Sequence, residues 1–128
     1  MLEAAYVAMC GVFLLCDKEG KEMTVNVLGT EYTIKETNKV DDTNLETCDG
    51  YCDTSTKTIV IDTFKDSPGS LGDLEAYKKK VVRHELAHAF LYESGLSCNS
   101  WAKDEEVVDW IALQFPKLLT AFEQCGAI

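Results

Sequence analysis

Basic residues are scarce. Twelve lysines and arginines stand against 22 aspartates and glutamates, for a formal charge of −10. Phosphate backbones and anionic bilayers repel such a surface, so neither nucleic acid nor membrane is an expected partner. No apolar run is long enough to span a bilayer. Ala4 to Cys16 has 13 residues, against the roughly 20 that a membrane helix needs. Glu3 precedes that run and Asp17-Lys18-Glu19 follows it, unlike the flanks of a secretory signal. Three readings of residues 1–22 stay open: an extension upstream of a true start at Met23, a packed N-terminal helix, or a targeting segment. Prolines number two, and repeats, low-complexity tracts and linkers are absent. A chain of 128 residues with 46% hydrophobic content is therefore expected to form one domain, over residues 23–128, with a real core. Histidine is as scarce, with two in the whole chain.

Cysteine is not scarce. Cys10, Cys16, Cys48, Cys52, Cys98 and Cys125 lie at irregular spacings, and a chain of this size needs no bridges. Free thiols in a reducing cytoplasm are the expected state. Cys48 and Cys52 enclose Asp49-Gly50-Tyr51. No second pair repeats that spacing, so it is a weak zinc signal.

The order of elements is strands first, then helices, which implies an α+β fold with a small sheet of about three strands. Thr24 to Leu28 and Glu31 to Glu36 alternate around Gly29-Thr30, which predicts a β-hairpin. Thr37 to Thr47 reads as a polar loop. Thr58 to Thr63 is β-branched and mostly apolar, which fits a more buried strand. After Ser67-Pro68-Gly69-Ser70 a long helix is expected from about Asp73 to Ser94, stopped by Gly95. A second helix starts at the N-cap Asp104 and reaches Phe115, where Pro116 kinks it or begins another.

The first helix carries His84-Glu85-Leu86-Ala87-His88. Histidines four apart share a helical face, so both imidazoles can reach one metal ion. Glu85, beside them, can take a proton from metal-bound water. Both histidines of the chain fall in this motif, and a random shuffle would place them so, with the Glu, on the order of 0.15% of the time. Coincidence is therefore a poor explanation. On a helical wheel Tyr77, Val81, His84, His88 and Leu91 share one side, expected to face inward. Lys80, Arg83, Ala87 and Ser94 form a different stripe.

No third histidine exists, so a third ligand must be a carboxylate or a cysteine. The second helix opens Asp104-Glu105-Glu106-Val107-Val108-Asp109. Its core face is set by Val108, Ile111, Ala112 and Phe115. Glu105 lies at the edge of that face and is better aimed inward than Glu106, which lies about 100° further round. Asp109 is one turn on. A metal-bound histidine donates its free N–H to such a carboxylate. Acidic residues in the first turn also answer the helix dipole, which is reason enough for Asp104 and Glu106.

The pattern H-E-x-x-H followed by E-x-x-x-D resembles the gluzincins, the thermolysin-like zinc metallopeptidases. The resemblance implies that His84, His88 and Glu105 bind zinc, that Glu85 is the base and that Asp109 orients His84. The segments Asp49-Gly50-Tyr51-Cys52-Asp53, Arg83-His84-Glu85-Leu86 and Asp109-Trp110-Ile111-Ala112 look like small metallopeptidase-like proteins of phages and prophages in Gram-positive bacteria. Zinc proteases that relieve repression are more distant relatives. Gluzincins also pair an extended substrate with an edge strand before the first helix, and Thr58 to Thr63 is the candidate here. They steady the oxyanion with a further His or Tyr, a part for which Tyr51 and Tyr92 are both candidates. The expected function is thus a cytoplasmic, monomeric zinc peptidase acting on peptide or protein. The alternative is a non-catalytic regulatory or interaction protein of phage or prophage origin, its metal closed in by a fourth ligand such as Cys52 or Cys98.

Overall fold

The computed structural model describes residues 22–64, 72–98 and 100–128. The apolar run Ala4 to Cys16, with its two cysteines, and the Ser67-Pro68-Gly69-Ser70 punctuation lie outside the described residues. The architecture is α+β, a four-stranded mixed sheet followed by two helices. The chain divides into two compact units, one ending at Thr63 and the other beginning at Phe64.

In the first unit β1 (Glu22–Val27) and β2 (Thr30–Thr37) form an antiparallel hairpin, with Val27 opposite Thr30 and Val25 opposite Tyr32. The turn is Leu28-Gly29, one residue earlier than the sequence suggests. Both residues have positive φ, 52° and 92°, the geometry a two-residue type I′ turn demands. A β-branched Thr30 would be strained there, so it enters β2 and the exposed Leu28 takes the left-handed conformation instead. Asn26 Oδ1 accepts from Gly29 N at 2.9 Å and holds the corner.

The loop expected over Thr37 to Thr47 contains a short 3₁₀ turn, Thr43–Glu46, capped by Asp42. Then come β3 (Gly50–Asp53) and β4 (Thr58–Asp62), antiparallel to each other. The side chain of Asp53 caps the intervening turn by accepting from Ser55 N and Thr56 N. β4 also pairs in parallel with β2, giving the order β1-β2-β4-β3. This corrects the edge-strand expectation. β4 is hydrogen-bonded on both sides and cannot add a substrate strand, because the short β3 occupies the side expected to be free. Ile59, Val60 and Ile61 are all buried, as the apolar run implied. Val27, Tyr32, Leu45, Ile59 and Ile61 form the fully buried heart of this unit.

In the second unit α1 (Leu74–Glu93) begins at Asp73, whose side chain accepts from Ala76 N at 3.0 Å. It ends at Ser94, and Gly95 follows with φ 81°, the left-handed stop that favours glycine. Two 3₁₀ turns, Leu96–Cys98 and Ser100–Lys103, lead to α2 (Glu105–Gln124). Asp104 caps it, its Oδ1 accepting from Glu106 N at 2.9 Å. α2 runs unbroken through Pro116. Its buried residues are Val108 and Ala112, while those of α1 are Val81, Glu85 and Ala89. Among the described residues no helix is long and apolar enough to cross a membrane.

Candidate metal centre

The site is built where α1 and α2 run side by side. Arg83 meets Ala112 and His88 meets Glu105, so later residues of α1 face earlier residues of α2 and the helices are antiparallel here. His84 Nε2 lies 2.9 Å from Glu105 Oε2, and His88 Nε2 lies 3.0 Å from Glu105 Oε1. The two Nε2 atoms are 3.2 Å apart. One ligating atom from each of His84, His88 and Glu105 falls within 4.8 Å of the others. Donors held about 2.0–2.1 Å from a tetrahedral zinc would be separated by roughly 3.3 Å, so the spacing suits such an ion.

The contacts of the His84 ring suit a cation as well. His84 Nδ1 faces Asp109 Oδ1 at 3.4 Å. In the tautomer with its proton on Nδ1, His84 points that proton at a carboxylate and leaves Nε2 as a lone pair. That lone pair then faces a carboxylate oxygen at 2.9 Å and another ring nitrogen at 3.2 Å. Acceptor against acceptor is unfavourable unless a positive centre lies between them, either a proton or a metal ion.

Glu85 is buried, with 7% exposure. Burial pushes its carboxyl up to about 7 from an ordinary 4.5, the neighbouring Glu105 adds to the shift, and His84 opposes it. Glu105 is the reverse case, its side chain 69% exposed, so the third donor sits where solvent and ligands have access. Asp109 is tied to Lys80, whose Nζ lies 3.0 Å from Oδ1. That ammonium, helped by His84, holds the Asp109 carboxyl below the usual carboxylate range.

All five residues expected from the sequence are thus in this unit, and four of them, His84, His88, Glu105 and Asp109, form one connected cluster. Glu106 is outside the cluster. Two expectations need correction. The buried stripe of α1 is Val81, Glu85 and Ala89, one step round from the histidines, whose side chains keep 18% and 24% exposure. Lys80 and Arg83, expected on a stripe apart from the histidines, also reach α2. Lys80 meets Asp109, and Arg83 Nε donates to the Ala112 carbonyl at 2.6 Å. Lys80 was findable, since it lies one turn before His84 on the line that continues to His88.

Among the described residues, the group that could hold a metal ion is His84, His88 and Glu105. Among the described residues, Cys48, Cys52, Cys98 and Cys125 form no disulfide with one another. Of the two tyrosines considered for the oxyanion, Tyr51 donates its hydroxyl to Asp42 Oδ2 at 2.5 Å. Tyr92 is exposed on α1, one turn beyond His88. Compared with protein-family models, with curated proteins and with solved structures, the chain shows no significant match.

Proposed function

We propose that this protein is a zinc-dependent peptidase of gluzincin type, in which His84, His88 and Glu105 hold the ion and Glu85 is the general base. The observation that carries the reading is the convergence of two imidazoles and a carboxylate within 2.9–3.2 Å, one residue along the chain from a buried Glu85. A zinc ion held there would lower the pKa of a water molecule towards neutrality and polarise a carbonyl. Glu85 accepts the water proton as the water oxygen bonds to the peptide carbonyl carbon. It returns that proton to the nitrogen as the C–N bond breaks. Asp109 fixes the tautomer of His84, and Lys80 in turn holds Asp109. Three protein donors would leave a position for water on such an ion, the arrangement of catalytic rather than structural zinc.

The substrate is a peptide or protein, and we place the protein in the cytoplasm as a monomer that uses neither nucleic acid nor membrane. The resemblance to phage and prophage metallopeptidases supports the substrate class, and the charge of −10 argues against nucleic acid and anionic membrane. A second reading is a metal-containing regulatory protein without turnover. The commitment of the Tyr51 hydroxyl to Asp42 favours it, because it leaves Tyr92 as the remaining tyrosine of the two.

A degenerate peptide library with mass-spectrometric readout tests the proposal. Cleavage is expected with zinc, none after chelation, and recovery when zinc is restored. Glu105→Gln should weaken zinc binding by more than the roughly 10–100-fold that a supporting residue costs, and should lose cleavage. Glu106→Gln should alter neither. Cleavage that persists after chelation, or the same loss from Glu106→Gln, would contradict the assignment.

A further inference from the structure

An α-helix bonds each carbonyl to the amide four residues on. For Ala112 that amide would belong to Pro116, which has no N–H and whose ring crowds the carbonyl four residues before it. Ala112 is fully buried, so its carbonyl needs another donor. Arg83 Nε supplies one at 2.6 Å. Arg83 immediately precedes His84, and Ala112 stands on the same side of α2 as the metal-site carboxylates. At 100° per residue Glu105, Asp109, Ala112 and Pro116 fall within about 60° of one another.

We propose that Arg83 is a positioning residue: by holding the carbonyl that Pro116 frees, it fixes the rotation of α2 so that Glu105 and Asp109 face the two histidines. The inference rests on the reading of those residues as a metal centre. Glu105 lies in the first turn of α2 with its side chain largely exposed, so little packing holds it. A slip of α2 by one residue would rotate it about 100° away. Lys80 and Asp109 tie the helices at another point, but both side chains are partly exposed and solvent screens such a pair. The Arg83 bond is directional and reaches a backbone atom, so it sets rotation where the ion pair does not. A proline inside a helix is thereby accounted for. It exposes an acceptor that an uninterrupted helix would use internally.

The test uses the full chain and three variants, Arg83→Gln, Pro116→Ala and the double variant. Three quantities are read: zinc affinity by competition with a chromophoric chelator, thermal unfolding of the zinc-free protein, and the histidine tautomers of that protein by long-range ¹H–¹⁵N spectra. Arg83→Gln should raise the zinc Kd about 10–100-fold, the range for groups that orient ligands, and should shift His84 away from the Nδ1–H form. In the double variant the Pro116→Ala change restores a backbone N–H that can bond the Ala112 carbonyl. Thermal stability should recover while zinc affinity stays weak. Recovery of both would mean that Arg83 only satisfies a buried carbonyl, and would overturn the proposal. So would wild-type affinity in Arg83→Gln. If Arg83→Gln does not fold, Pro116→Ala decides alone: its new N–H competes for the carbonyl, so zinc affinity should fall a few-fold while the apo-protein becomes more stable. Unchanged affinity there would contradict the latch. If the wild type itself takes up no zinc, the metal reading fails separately. The histidine spectra then decide, and identical wild-type and Arg83→Gln spectra would overturn the positioning role.

Discussion

Glu85→Gln is expected to lower peptide cleavage by about 10²–10⁴-fold, the range for removing a positioned general base, while zinc content stays at the wild-type level. Glutamine keeps the size and much of the polarity of the side chain but cannot accept the proton. The proposed zinc donors are His84, His88 and Glu105, none of which is changed. Loss of rate without loss of metal separates the base from the ligands. His84→Ala, by contrast, should lose both. Zinc-loaded Glu85→Gln that turns over at the wild-type rate would remove Glu85 from the mechanism, and metal lost along with activity would make Glu85 a structural support of the site.

The same substitution should stabilise the zinc-free protein above neutral pH. Glu85 has 7% exposure, and burial raises its carboxyl from 4.5 to about 7. Between those values the folded chain holds a proton that the unfolded chain has released. Stability therefore falls as pH rises through that window. Above it, the buried carboxylate costs the folded apo-protein on the order of 3 kcal/mol. Glutamine carries no charge to desolvate, so apo Glu85→Gln should exceed apo wild type by about that amount at pH 8 and by little at pH 4. Denaturant unfolding at the two pH values measures it. A bound divalent cation favours the carboxylate, so zinc should flatten the wild-type slope. A pH-independent difference between the two apo-proteins would show that Glu85 titrates normally. Destabilisation at the site of a buried base is the usual companion of function, because the environment that tunes the base also opposes its charge.

Much of the site was legible in the sequence because helical periodicity is strict. The spacing of His84 and His88 fixes a shared face. The wheel position of Glu105, set against Val108 and Ala112, agrees with its place beside His84 and His88 and leaves Glu106 outside the cluster. The roles of Lys80 and Arg83 were not legible because α1 was read as having one inward side. The helix instead buries Val81, Glu85 and Ala89 and turns an adjoining, more polar stripe towards α2. A charged stripe that meets another helix has the composition of one that meets water. In the sheet, the run Thr58 to Thr63 identified β4, since buried strands read as continuous apolar sequence. The four residues of β3 are too few to display alternation, and this hid the strand that covers β4. The hairpin was legible to within one residue, and the offset follows from turn stereochemistry at Leu28 and Gly29.

The central claim is that His84 and His88 are metal ligands. Untagged wild type and the His84→Ala, His88→Ala double variant should be purified side by side and their metal measured by inductively coupled plasma mass spectrometry. About one zinc per wild-type chain and none in the variant is the expected result. A wild-type chain that holds no metal, even after zinc is added back and excess removed, would contradict the account, and the cluster would then be two histidines and a carboxylate sharing protons.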